Sequence, residues 1–206
     1  MLTLYTAPGS CGRASHIALE ESGLPFEVRL LDLSAGDQRR PDYIRINPKG
    51  RVPALITASG VLTESPAILS YIASMATAVQ LAPCDDPFAL AALHAFNAYL
   101  ASTVHVAHAH GRRASRWADA PDAIAAMQAK VAENMRACFL LIEEEYLRGE
   151  WAMGSAYTIA DPYLFTMTGW LQGDGVDLAD FPKVADHYGR MLERPAVRRA
   201  LAAEKG

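Results

Sequence analysis

Along the N-terminal part of the chain the apolar positions switch between the period of a strand and the period of a helix. Leu2 and Leu4, flanked by Thr3 and Tyr5, read as a short strand that Pro8 and Gly9 stop. Ala14, Ile17 and Ala18 fall at helical spacing over 13–22, and Gly23 and Pro25 end that run. Residues 26–31 return to a strand, so the three elements form a βαβ unit with parallel strands and a right-handed crossover. Residues 33–40 are polar and contain Gly36, a loop; 41–46 predict a helical turn and 47–50 a tight turn. A strand over 52–56 carries Pro53 near its start, where proline is tolerated. Ala58, Ser59 and Gly60 turn the chain into a hairpin partner, 61–63. Ile68, Leu69 and Ile72 then make a helical stripe behind Ser65, a good N-cap, and Pro66 at the first helical position.

The order βαβ followed by αββα predicts an α/β N-terminal domain, residues 1–78, with a four-stranded mixed sheet in the thioredoxin-like arrangement (βαβαββα). Residues 79–86 lack periodicity, contain Pro83 and read as a linker. Beyond them Leu90, Leu93, Ala95, Phe96, Tyr99 and Leu100 form the apolar face of a helix running on to 113. A second long helix over 122–147 carries Ile124, Met127, Val131, Met135, Phe139 and Ile142 at steps of three and four. The short connection makes the pair antiparallel and opens an all-α helical-bundle domain spanning 87–206. Thr158 and Asp161 have the spacing of a capping box, and Pro182 and Pro195 open two C-terminal helices, 182–192 and 195–202.

Composition narrows the function. Of 206 residues 51% are hydrophobic, ample for real cores, and the net charge is −4. No basic stripe is present to neutralise phosphates, which argues against nucleic acid. The arginine pairs at 39–40, 112–113 and 198–199 are dispersed and read as solvated faces. No apolar run approaches a membrane span, and the N-terminus enters a strand with no signal-peptide pattern. Cys11, Cys84 and Cys138 are widely spaced, without a C-x-x-C pair or metal-ligand spacing. Neither a dithiol centre nor a structural metal is indicated, and free cysteines fit a reducing cytoplasm.

Cys11 sits where the first strand hands over to the first helix. Free N–H groups and the dipole at a helix start favour thiolate, and Arg13 and His16 lie within a turn to add to the effect. The same position equally suits a small buried cysteine without reactivity. The Val52–Pro53 bond reads either as cis, which leaves Val52's backbone N–H and C=O unpaired, or as an ordinary trans edge proline. The helix start at Ser65 is either simply well capped or an anion site. His105 and His108 share a helical face, with His110 close by, but without adjacent carboxylates they make a weak metal site.

Three segments taken in order resolve these alternatives toward one family. Residues 8–11 (Pro-Gly-Ser-Cys), 47–55 (Asn-Pro-Lys-Gly-Arg-Val-Pro-Ala-Leu) and 63–68 (Thr-Glu-Ser-Pro-Ala-Ile) resemble bacterial cytosolic glutathione transferases, most closely the beta class. The resemblance extends over essentially the whole chain. It implies that Val52's backbone pairs with the cysteinyl part of glutathione and that Pro53 is the cis residue permitting this. Glu64 would hold the γ-glutamyl amino group and Ser65 its carboxylate. Cys11 would face the glutathione sulfur, either stabilising its thiolate or forming a mixed disulfide. Tyr5 and Ser10 would be auxiliary donors, with strand packing an equal alternative for Tyr5. Ser102 and Thr103 would complete the glutathione-binding set, and His105 would accept the thiol proton or orient a water. The helical domain would supply an apolar electrophile pocket with Tyr99, His105, His108, Arg112 and Trp117 near its mouth and Trp170 or the C-terminal segment over it.

The function so implied is that of a cytoplasmic, homodimeric detoxifying glutathione S-transferase. It would activate glutathione, its co-substrate, for attack on small hydrophobic electrophiles, with a thiol-transferase route through Cys11 and without metal, membrane or nucleic-acid partners. Two rival functions fit the same residues: a glutathione-dependent disulfide reductase or peroxidase, and a non-catalytic binding protein of the same fold. The chain departs from the family pattern at residues 34–36 and at Val106, where relatives carry lysines, and at Ala98, where they carry asparagine next to this chain's Asn97. Gln38 or Arg39 is the nearby replacement for the first of these.

Overall fold

The computed structural model describes residues 1–205. Four strands, β1 (Leu2–Thr6), β2 (Phe26–Leu30), β3 (Ala54–Thr57) and β4 (Gly60–Thr63), form one sheet in the order β2-β1-β3-β4. β2 runs parallel to β1 with Leu4 opposite Val28, while β3 is antiparallel to both β1 and β4, with Leu55 opposite Leu4 and Leu62. The helices α1 (Gly12–Ser22) and α3 (Ser65–Met75) pack against each other over one face of this sheet. Leu4 and Leu55 meet Ala14, Ala18, Ile68, Leu69 and Ile72 there. Alternation sends Tyr5 to the other face, where its ring lies 5.6 Å from Tyr43 of α2 (Pro41–Ile46).

The second half is helical: α4 (Pro87–Tyr99), α5 (His105–Arg112), α6 (Pro121–Ala129), α7 (Val131–Leu141), α8 (Ala160–Thr168), α9 (Pro182–Glu193) and α10 (Pro195–Ala203). Asp86 caps α4, accepting from the backbone N–H groups of Phe88 and Ala89 at 2.9 and 3.0 Å. Every residue of α8 is buried, and it packs on α1, α4 and α9. One apolar cluster therefore runs from Leu4 through Phe96 and Phe139 to Leu164, joining both halves of the chain. Among the described residues no helix is long and apolar enough to cross a membrane.

The two long helices expected over 88–113 and 122–147 are each interrupted. A π-turn at Leu100–Val104 separates α4 from α5, Lys130 breaks the chain between α6 and α7, and a second π-turn at Ile142–Tyr146 ends α7. Apolar spacing continues across each interruption, so hydrophobic periodicity does not register it. The capping box forms at α8: Asp161 Oδ2 accepts from Thr158 N at 2.7 Å and Thr158 Oγ1 accepts from Ala160 N at 3.3 Å.

Candidate functional site

A cleft of about 670 Å³ opens between the C-terminal ends of β1 and β4, the N-terminal end of β3, the start of α3 and the wall formed by α5 and Trp170. Its floor begins at the first turn. Ser10 N donates to Ala7 O, and Ser10 Oγ accepts from Gly12 N at 3.2 Å and from Ala7 N at 3.4 Å. Only glycine fits at position 12: a Cβ there would overlap Thr6 Oγ1 and stand 2.9 Å from Thr6 Cβ. This close approach fixes Cys11 at the head of α1, with its side chain 8% exposed and its thiol donating to Val52 O at 3.5 Å. The Val52–Pro53 bond is cis.

Burial pushes the Cys11 thiol up from its ordinary value, against the smaller lowering effects of the Ser65 hydroxyl and the Arg113 charge. Of the two readings of Cys11, a thiolate at a helix start and a small buried cysteine, burial favours the second: desolvation outweighs the helix start. Nor do the expected helpers face it. Arg13 is turned outward to Glu204, bonded at 2.5 Å, and buried His16 faces Glu20 at 3.8 Å. The cation beside the thiol is Arg113, which contributes a lowering charge at Cys11.

Glu64 occupies φ 71°, ψ 121°, a backbone region unfavourable for a residue with a Cβ, and it stands at the N-cap of α3. Its carboxylate reaches Lys49 Nζ at 2.6 Å. Ser65, expected as the cap, is instead the first helical residue and makes no side-chain cap bond; its hydroxyl is turned toward Cys11 and Tyr163. Tyr163 of α8, buried beneath the cleft, has its phenol pushed up by burial and stays a neutral donor.

The structure gathers Ser10, Cys11, Val52, Pro53, Glu64, Ser65 and His105 around this one cleft. It does not bring Tyr5, Ser102 or Thr103 there. Tyr5 packs on Tyr43 across the sheet, and Ser102 and Thr103 lie exposed on the π-turn. Tyr99, expected at the pocket mouth, donates to Cys138 O at 3.3 Å and stacks on Tyr146 within the helical core. Ser10's hydroxyl is engaged in its own turn, with Thr6 Oγ1 at 3.3 Å. Asn97 is fully buried with neither amide atom hydrogen-bonded, and the neighbouring Ala98 is exposed.

The helical wall differs from the apolar pocket expected. His105, His108, Arg112, Arg113 and Arg116 line it, with Trp117 and Trp170. His105 Nε2 lies 3.3 Å from Arg113 Nη2, and its pKa is pushed down to about 3, by burial first and then by Arg113, His108, Arg116 and Arg51. So weak a base does not hold a thiol proton; His105 is a neutral hydrogen-bonding ring instead. His108 Nδ1 lies 2.8 Å from Asp174 Oδ2, and its ring stacks on Trp170 with centroids 4.1 Å apart. Trp170 Nε1 in turn donates to Gly9 O at 2.9 Å, tying the wall to the first turn. Among the described residues no three metal-ligating side chains are gathered for an ion.

Arg112, expected near the pocket mouth, and Gln38 and Arg39, the expected replacements for the absent lysine, line the cleft, as do Tyr163 and Arg113, the last read from sequence as part of a solvated pair. One signal was present: His105, His108 and Arg112 follow each other at three and four residues on α5, a polar stripe. Arg113 follows no such rule. It lies past the end of α5 at φ −128°, ψ 20°, and only the turn of the chain brings its side chain back to His105.

Comparison with known proteins places this geometry among relatives. The N-terminal domain of glutathione S-transferases matches residues 1–74, and the C-terminal domain of the same family matches 90–195. Glutathione S-transferase GstA of Escherichia coli O157:H7 is 34% identical over 206 residues, 98% of each chain. A glutathione transferase homologue from Sulfitobacter, solved with bound glutathione, superposes with a TM-score of 0.95 at 44% identity over 98% of each chain. The beta-class glutathione S-transferase of Sphingomonas chungbukensis superposes at 0.86 with 34% identity, again over 98% of each.

Proposed function

The chain belongs to the glutathione S-transferase family, and from that premise we propose that its cleft binds glutathione and activates the thiol for attack on an electrophile. The observation that carries this reading is the convergence of Cys11, the cis Val52–Pro53 bond and the Glu64–Ser65 pair on one cleft. Val52's backbone pairs with the cysteinyl part of the ligand. Glu64 takes the γ-glutamyl ammonium, and Ser65 with the N–H groups opening α3 takes its carboxylate. Gln38 or Arg39 holds the glycyl carboxylate in place of the absent lysine. In this reading residues 1–78 are the glutathione domain, 79–86 the linker and 87–206 the second-substrate domain. Its likeness to the family supports a homodimer, and three free cysteines fit the cytoplasm.

Activation follows from the charges around the sulfur. Glutathione's thiol gives its proton to solvent, and the thiolate is held by Arg113 and by the Cys11 S–H, a donor because burial keeps it protonated. The thiolate's electron pair forms the new carbon–sulfur bond while the leaving group departs with its own bonding pair. Cys11 is thus a hydrogen-bonding partner of the sulfur, which favours conjugation over the mixed-disulfide route.

Calorimetric titration with glutathione and with S-methylglutathione tests the reading on wild type, Cys11→Ala and Ser65→Ala. Expected are saturable binding of both ligands by wild type, retention by Cys11→Ala and a loss of about tenfold in Ser65→Ala. No binding by either ligand sinks the transferase reading in favour of a non-catalytic module. A wild-type protein that gains the mass of one glutathionyl group at Cys11 moves the disulfide route to the front.

A further inference from the structure

The cleft carries more positive charge than glutathione balances. Arg39 and Arg51 line its N-terminal side and Arg112, Arg113 and Arg116 its helical side. Among the described residues none of these five pairs with a carboxylate, whereas arginines elsewhere do: Arg13 with Glu204, Arg194 with Glu21, Arg199 with Glu20. Glu64, the carboxylate lining the cleft, is already neutralised by Lys49. Arg113 is half-buried, and its Nε is buried with no hydrogen-bond partner.

These guanidinium groups act on one another across the cleft. Burial and then Arg113, Arg51 and Arg39 push the Arg116 guanidinium down from its ordinary value, and Arg51 and Arg112 act likewise on Arg113 after burial. Holding like charges together opposes folding, so the arrangement calls for anions from outside the chain. Glutathione brings two negative charges to this space at most, its glycyl carboxylate and its thiolate; its γ-glutamyl end is a zwitterion matched at Glu64 and Ser65. Arg39 and Arg51 with Gln38, on the N-terminal side, account for the glycyl group and Arg113 for the thiolate. Arg112 and Arg116 remain, both exposed on the helical wall beside Trp117.

We propose that the second substrate is an anionic aromatic electrophile, a carboxylate in its simplest form, recognised by Arg112 and Arg116 with its ring against the tryptophans of the helical wall. This rests on the transferase reading and adds a charge to the small hydrophobic electrophile that the family resemblance implies. Two exposed guanidinium forks suit a planar carboxylate, and Trp117 and Trp170 offer flat apolar surface.

Tryptophan fluorescence titration with para-nitrobenzoate and para-nitrobenzamide, near-isosteric rings of which the first carries a carboxylate and the second its neutral amide, tests this on protein saturated with S-methylglutathione. The benzoate is expected to bind about tenfold more tightly than the amide at low salt, with the ratio shrinking as salt rises. In the Arg112→Gln/Arg116→Gln protein the ratio is expected to approach one. Equal affinities in wild type, or a preference that survives the double substitution, overturn the inference while leaving the transferase reading intact. Failure of S-methylglutathione itself to bind, measured beforehand by calorimetry, overturns both.

Discussion

At the start of α8, Asp161 is completely buried and its carboxylate is fully used. Oδ1 accepts from Ala152 N at 2.7 Å and faces His187 Nε2 at 3.0 Å, while Oδ2 accepts from Thr158 N at 2.7 Å. In the cleft, Arg113 is half-buried as well, yet its Nε has no partner and its Nη2 faces a histidine held neutral. One cluster closes on itself, except for His187 Nδ1. The other is left open toward the cavity. The difference separates polar groups that build the fold from polar groups that await a ligand: a satisfied network stabilises, whereas unmatched like charges cost stability until an anion arrives.

Breaking the closed cluster should have the largest effect. Asp161→Ala strips partners from two buried backbone N–H groups and from His187, and is expected to lower unfolding stability by about 3–5 kcal/mol. Urea denaturation measures it, and a loss below about 1 kcal/mol would erase the contrast drawn above.

His105 sharpens the contrast through pH. Its ring is neutral in the folded protein down to about 3, whereas an unfolded histidine takes up a proton near its ordinary value of 6.5. The stabilisation is therefore complete above that ordinary value and is lost as pH falls toward the folded one. Between pH 7 and pH 5 this residue is expected to cost about 2 kcal/mol of stability. His105→Gln should lose correspondingly less over the same interval, read from denaturant midpoints. An unchanged pH dependence would mean that the ring takes up its proton in the fold as readily as in the unfolded chain.

A third substitution probes an ion pair of the closed kind. Glu204 binds Arg13 and accepts from Gly9 N at 3.1 Å, with its side chain 5% exposed, so it ties the C-terminal segment to the first turn. Glu204→Gln is expected to cost about 1–2 kcal/mol in thermal or chemical unfolding. Arg113→Gln should have the smallest effect on stability and the opposite sign, a gain of up to about 1 kcal/mol in the ligand-free protein. In the same variant the thiol of bound glutathione should titrate about one unit higher, followed by thiolate absorbance. A destabilisation matching that of Glu204→Gln would place Arg113 in the framework rather than the site.

Much of the molecule is legible in local pattern. The strands, the hairpin, the C-terminal helices and the Thr158–Asp161 cap follow from spacing and turn residues, because each depends on neighbours a few positions away. The π-turn after Tyr99 escapes because the apolar spacing runs through it. Tyr5 and Tyr99 stand away from the cleft for a different reason: a tyrosine near a site in sequence has two faces to choose from, and packing on Tyr43 or Tyr146 decides.

The sequence by itself determined most of the elements and the family, since these rest on short-range periodicity and on motifs whose order survives without coordinates. Only the tertiary structure decided what state those groups are in. Desolvation set the Cys11 thiol and the His105 ring, and the return of the chain past α5 put Arg113 beside both. Exclusion of water and the field of distant charges belong to the assembled cleft, and no single segment of the chain contains them.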